Sequence, residues 1–189
     1  MSTLSISCRC GEVQGKVSFT GPRTCNHLVC YCDDYQRFAN HLNAHDVMDV
    51  HGGTEIIQVT PRQLTVDQGI EHLRVLRLSD KGILRWYTDC CKTPFANTVS
   101  AALPVVGVLA AFIKNTEKDT VLGPIRYRIQ GQHALDAPAD LNISPAFPKG
   151  MLLTIMGQMA IPRLRGFHQP NPLSGTDKRP IVKPQVIGL

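Results

Sequence analysis

Several absences bound what this chain can be. No run approaches the ~20 apolar residues that a membrane-spanning helix needs. The most apolar stretch, Ala101 to Ile113, is short and is broken by Pro104 and Gly107. Residues Met1 to Ser7 hold no long apolar core, so no secretory leader is expected and a cytoplasmic home follows. The Gly-rich phosphate loop, the G-x-S-x-G elbow and the H-E-x-x-H pair are all missing, which removes three common catalytic templates. There is no internal repeat and no low-complexity segment. Acidic residues run short only at the end: residues 1–148 carry fourteen Lys/Arg and fourteen Asp/Glu. Residues 149–189 set Lys149, Arg163, Arg165, Lys178, Arg179 and Lys183 against Asp177 alone, so the net charge of +5 sits there. Such a tail can touch nucleic acid, but a solvated face is the plainer reading, and nucleic acid is not expected as the main partner.

What the sequence does have is thiols in close pairs. Of its 7 cysteines, all but Cys25 fall in Cys8-Arg9-Cys10, Cys30-Tyr31-Cys32 and Cys90-Cys91. Two cysteines one residue apart do not easily form a disulfide, because their Cβ vectors diverge, but both can reach one metal from a tight turn. A tetrahedral Zn²⁺ wants four ligands, often drawn as two close pairs from distant parts of the chain. Cys8 and Cys10 therefore read as half of a zinc clamp, with Cys91 in the other half. Cys90 is the most economical fourth ligand; the alternative is a small buried apolar residue. Cys30-x-Cys32 is a second half-site, with Cys25, His27, Asp33, Asp34 and His41 near enough in sequence to complete it. Arg74, Arg77, Arg85 and Trp86 can hold an anionic ligand, or be ordinary outward-facing strand residues.

The hydrophobic content of 43% supports a sizeable core without disulfide staples. Period-two patterning predicts strands at Leu4 to Cys8 and Val13 to Phe19, around the turn Arg9-Cys10-Gly11. A short extended piece follows at Asn26 to Cys32, then a helix through Leu42 capped by Asp33 or Asp34. Glu55 to Thr60 and Gln63 to Asp67 flank Pro61-Arg62; His72 to Leu78 and Ile83 to Tyr87 flank the turn Ser79 to Gly82. Val105 to Ile113 reads as a buried strand and Pro124 to Gln130 as an edge strand. After Gly131 the pattern becomes loop-like. A helix over about 150–161 then offers Met151, Leu152, Ile155, Met156 and Met159 on one face, and from His168 a Pro-rich tail follows. The expectation is a mainly β domain over 1–131 with an extension over 132–189.

The order C-x-C-G, C-x-C at a helix start, then R-W-Y…C-x-T-P resembles the glutathione-dependent formaldehyde-activating enzyme family, also called the centromere protein V/GFA domain. The likeness covers roughly residues 4 to 130, and the tail is similar to that of a divergent branch with a C-terminal extension. It implies an Mss4-like, mainly β fold with a structural zinc on the first C-x-C and a later C-x-x-C-G. Cys8, Cys10 and Cys91 match three of those positions, the fourth falls on Thr88, and the family's glycine is Lys92. Cys90 then replaces the missing thiolate from a shifted position. The family's second, catalytic zinc uses C-H-C-x-x-C; here the run is Cys30-Tyr31-Cys32-Asp33-Asp34-Tyr35. A phenol is a poor zinc ligand at neutral pH. The resemblance thus implies a carbon–sulfur lyase-like protein acting on glutathione or a glutathione adduct, with Cys30 and Cys32 as catalytic residues and a weakened or altered second metal site. Alternatives are a zinc-stabilised binding module without catalysis, and a thiol redox or soft-metal protein, since C-x-C pairs also suit Cu(I).

Overall fold

The computed structural model describes residues 2–19, 25–100, 103–114, 118–151, 153, 155–157 and 169–188. Two sheets form the frame of the described residues. The smaller is antiparallel: β1 (Ser2–Ser7) pairs with β2 (Gln14–Phe19), which pairs with β5 (Leu64–Gln68). Alternation carries it, since Leu4 and Ile6 of β1 and Val17 and Phe19 of β2 are buried while Thr3, Ser5 and Lys16 between them are exposed. The larger sheet draws on β3 (Asn26–Cys30), β4 (Thr54–Val59), β6 (Leu73–Arg77), β7 (Leu84–Thr88), β8 (Pro94–Thr98), β9 (Val106–Leu109), β10 (Tyr127–Ile129) and β11 (Gln185–Val186). Its order is β10-β3-β4-β9-β8-β7-β6-β11, with only the two edge pairings, β10 on β3 and β11 on β6, parallel.

Both faces of the large sheet are covered, so its strands bury residues of both parities. One face meets the small sheet: Ile57, Val59, Val75, Trp86, Val106 and Val108 pack there with Leu4, Ile6, Val17 and Phe19. The other face lies under α1 (Asp33–His41), where Leu28, Cys30, Ile56, Leu76 and Leu109 meet Tyr35, Phe38 and Leu42. Trp86 and its neighbour Arg85 therefore point to opposite faces. The indole N–H donates to Thr98 Oγ1 at 3.1 Å, so the one large polar ring atom in the first core is satisfied.

Most of the expected strands occur within a residue or two of where alternation places them, but the one expected at Val105 to Ile113 ends at Leu109 and the one expected at Pro124 to Gln130 spans only Tyr127–Ile129; β6 and β7 pair as the anticipated hairpin. Three elements were not anticipated. β8 opens on Pro94, a residue that argues against a strand. β11 is two residues long, and α2 (Lys118–Leu122) is only five. The α1 cap is corrected: Cys32, with φ −65° and ψ 147°, is the N-cap, while Asp33 and Asp34 already occupy the first turn and complement the helix dipole there. The chain stays extended two residues past β3 because Tyr31 still pairs, its N–H donating to Ile129 O at 3.0 Å.

Of the helix expected at 150–161, residues 149–151, 153 and 155–157 are helical; Leu152, Met159 and the last turn lie outside the described residues. Its apolar face is narrower than expected: Met151 is buried and Ile155 packs beside it, but Leu153 and Met156 are exposed. Residues 169–188 run irregularly apart from β11, as the prolines predict. Residues after 131 also enter both cores, Met151 beneath α1 and Leu173 between the sheets.

Candidate metal centre and thiol pair

The turn after β1 is built to present sulfur. Cys8 N–H donates to Val13 O at 3.0 Å, Gly11 takes φ 83°, and Val13 N–H donates to the Cys8 sulfur at 3.3 Å. Positive φ is where glycine costs least, so Gly11 closes the turn that leaves both thiols on one side. The facing half is the turn joining β7 to β8. Thr88 N–H donates to Thr93 O at 3.0 Å, and Thr93 N–H donates to Thr88 Oγ1 at 3.3 Å. Both threonine hydroxyls lie on the Cys91 sulfur, at 3.4 Å from Thr88 and 3.0 Å from Thr93. Arg9 N–H donates to Thr93 Oγ1 at 3.2 Å and so ties one half to the other.

The four sulfurs of Cys8, Cys10, Cys90 and Cys91 all lie within 4.8 Å of one another. Cys10 and Cys90 are 3.3 Å apart, Cys8 and Cys10 3.4 Å, Cys90 and Cys91 3.8 Å, and Cys8 and Cys90 3.9 Å. A zinc–thiolate bond of about 2.3 Å puts tetrahedral sulfurs about 3.8 Å apart, so this cluster can hold a metal ion with little adjustment. Cys8 is buried, Cys91 half-buried, and Cys10 and Cys90 exposed. The alternative reading of Cys90 as a buried apolar residue is thereby corrected: it is exposed, with its sulfur turned into the cluster. Thr88 hydrogen-bonds the Cys91 sulfur.

Charge in the cluster is shared unequally. Burial raises the Cys91 thiol, but the Thr88 and Thr93 hydroxyls and the Cys10 backbone outweigh it and bring the value down to about 5. Desolvation and the Cys10 thiol push Cys90 up to about 12. Four thiolates this close repel one another, and a divalent cation is what lets all of them ionise. Around the cluster, His72 Nδ1–H donates to Asp89 Oδ1 at 3.0 Å, and Arg74 pairs with the same carboxylate.

Among the described residues, Cys30 and Cys32 gather no third His, Cys, Asp or Glu side chain as a ligand. Among the described residues, the four-thiol cluster is the one group of at least three His, Cys, Asp or Glu side chains placed to hold an ion. Four of the sequence neighbours are engaged elsewhere, and His41 is exposed at the other end of α1. His27 bonds Gly123 O and Glu55, Asp33 pairs with Arg37, Asp34 pairs with Arg85, and Cys25 is buried in the core across the sheet. Tyr35 is buried, and its phenol oxygen accepts from Asn97 Nδ2. Burial raises its pKa further above the phenol range, which excludes it as an anionic ligand.

The two thiols act on each other. The Cys30 S–H bonded to Cys32 brings the Cys32 thiol down to about 7, with smaller help from the Tyr35 backbone and the Arg85 guanidinium against burial. The same contact, with burial, drives Cys30 far up. The direction of the two shifts favours ionisation at Cys32 over Cys30. Arg85 is corrected from an outward-facing residue: it is 2% exposed and lies under α1, with Nη2 donating to Asp34 Oδ2 at 2.9 Å. Its guanidinium carbon sits 4.7 Å from the Tyr35 ring centroid and 5.7 Å from that of Phe38.

A further polar group escaped the sequence entirely. A cavity of about 370 Å³ is lined in part by Glu55, Lys118, Asp46, Asp49, Met48 and Ala110. Glu55 accepts from Lys118 Nζ at 2.9 Å and faces His27 Nε2 at 2.7 Å. Burial alone raises the Glu55 pKa, yet the His27 and Lys118 hydrogen bonds win and hold it below the ordinary carboxylate value.

Residues 1–183 match the Family of unknown function (DUF6151). The chain belongs to that family. No curated protein matches it. Among solved structures, the crystal structure of a Rhodobacter sphaeroides protein is similar over 76% of this chain and 100% of its own, at 15% identity and a TM-score of 0.44. A likeness that low carries no weight for fold or function. Among the described residues no helix is long and apolar enough to cross a membrane.

Proposed function

We propose that the chain is a zinc-stabilised, Mss4-like β protein whose second thiol pair acts, without a second metal, on adducts of glutathione with a small aldehyde. The observation that carries the first half is the four-sulfur cluster, with separations of 3.3–3.9 Å between the neighbouring thiols. Cys8, Cys10, Cys90 and Cys91 hold the zinc. There it is a closed structural ion that locks the β1–β2 turn to the β7–β8 turn. Nothing in this reading assigns it a catalytic step.

The second half rests on the Cys30–Cys32 contact. In the synthetic direction the Cys32 thiolate removes the thiol proton of glutathione, and the glutathione sulfur attacks the aldehyde carbon. The carbonyl π-bond breaks as the sulfur–carbon bond forms, and the alkoxide takes the proton back from the Cys32 thiol. Lysis is the reverse, with Cys32 removing the hydroxymethyl proton and returning it to the departing sulfur. Cys30 keeps Cys32 ionised in the resting protein and remains protonated throughout.

The test is exchange NMR of glutathione and formaldehyde with the purified protein present. Wild type accelerates formation and loss of the S-hydroxymethyl adduct, while Cys32→Ser falls to the rate in buffer. A wild-type rate equal to buffer overturns the lyase reading and leaves the zinc half standing.

A further inference from the structure

Arg85 has two features that the reaction above does not use. Its Nη1 is buried without a hydrogen-bond partner, and the strand carries a permanent charge into a core. An unpaired guanidinium arm under a helix is costly unless something fills it. Its position is set by alternation: Trp86 faces the small sheet, so Arg85 faces α1, on the side of the sheet to which Cys30 also contributes. The guanidinium lies beneath the first turn of α1, against Asp34 and Tyr35, and its charge adds to the lowering of the Cys32 thiol. Cys32 is the N-cap of that nine-residue helix, so its thiol sits at the positive end of the helix dipole. A half-buried thiol, a helix N-terminus and one free guanidinium arm therefore converge.

We infer that Cys32 and Arg85 form a covalent modification site for small electrophiles that carry a carboxylate. Asp34 is the removable cover. It is 57% exposed and already shows that a carboxylate fits the guanidinium fork. An incoming carboxylate takes Asp34's place on Arg85 and reaches Nη1, which aligns the electrophilic carbon with the Cys32 sulfur. The sulfur's electron pair then forms the S–C bond as the bond to the leaving group breaks, and the leaving group departs as an anion. The inference goes beyond the lyase reading, because it needs neither glutathione nor an aldehyde.

The test compares iodoacetate with iodoacetamide on the intact full-length protein, reading alkylation at Cys32 by peptide mass spectrometry. The same pair of reagents on N-acetylcysteine gives the intrinsic ratio; iodide is the leaving group in each case. Wild type raises the iodoacetate-to-iodoacetamide ratio at Cys32 by about tenfold over that reference, the scale of one charge-assisted contact. Asp34→Asn raises it further by removing the competing carboxylate, and Arg85→Lys returns it towards the reference by removing the fork. Circular dichroism checks that each variant is folded before the ratio is read, and Asp34→Asn, which keeps a hydrogen-bond acceptor for Arg85, decides the matter even where Arg85→Lys does not fold. A wild-type ratio equal to the reference, or a ratio unmoved by Asp34→Asn, overturns the inference. Adduct turnover lost with this ratio preserved overturns the lyase reading alone. A reference-like ratio with turnover intact overturns this one alone.

Discussion

His27 is 3% exposed, with Gly123 O 2.8 Å from one ring nitrogen and Glu55 2.7 Å from the other. Lys118 shares the same carboxylate. Glu55→Gln weakens the acceptor shared by His27 and Lys118 and is expected to cost about 1–3 kcal/mol at pH 7, read by urea unfolding. The pH dependence has a definite sign. A carboxyl held below its ordinary value contributes stability above that value and loses it as pH falls through the folded pKa. Wild type therefore loses this contribution in the acid range, below the ordinary glutamate value of about 4.3, while Glu55→Gln shows a flatter profile there. At the thiol cluster, Thr93 touches the Cys91 sulfur and receives the Arg9 N–H. Thr93→Val removes a partner that orients a ligand and is expected to weaken metal retention by roughly 10–100-fold in a chelator competition.

At the scale of elements, two glycines separate backbone conformation from close approach. A Cβ on Gly15 falls 2.0 Å from Thr65 O, where β2 meets β5, while one on Gly11 meets nothing within 4 Å. Gly15→Ala is expected to lower stability by about 1–3 kcal/mol through displacement of β5. Gly11→Ala is expected to cost about 1 kcal/mol, from positive φ alone. Thermal melts of the two variants check the order; equal losses contradict it. The same scale shows what was legible from residue order. β2 declared itself by alternation, because one covered face writes itself as period two, and the β6–β7 hairpin by its turn sequence Ser79 to Gly82. Arg85 did not. Its strand is covered on both sides, so the side away from Trp86 looked like solvent until α1 was in place. β8 hid behind Pro94, and β11 is too short to carry a period. After Cys90-Cys91 the backbone turns left-handed at Lys92, which adopts φ 55° with its ammonium 5.6 Å from the Tyr87 ring centroid.

For the whole molecule, the tail matters more than its composition suggested. Leu173 is 2% exposed in the core between the sheets, and β11 pairs with β6 at the edge of the large sheet. Leu173→Ala is expected to cost about 2–5 kcal/mol and to shift a single cooperative transition. Two separate transitions would contradict that coupling. Paired thiols also read well from sequence at this scale, because two tight turns from opposite ends of the domain carried them as Cys8-x-Cys10 and Cys90-Cys91. The second pair read less well, because whether it completes a metal site depends on where Asp33, Asp34, His27 and Tyr35 point. That is a matter of packing, and no spacing encodes it.

The account turns on one closed metal centre and one metal-free thiol pair. Elemental analysis of metal per chain, on wild type, Cys91→Ser and Cys30→Ser, tests both at once. The account predicts one zinc in wild type and in Cys30→Ser, with the zinc lost from Cys91→Ser. No zinc in wild type, or two falling to one in Cys30→Ser, would contradict it.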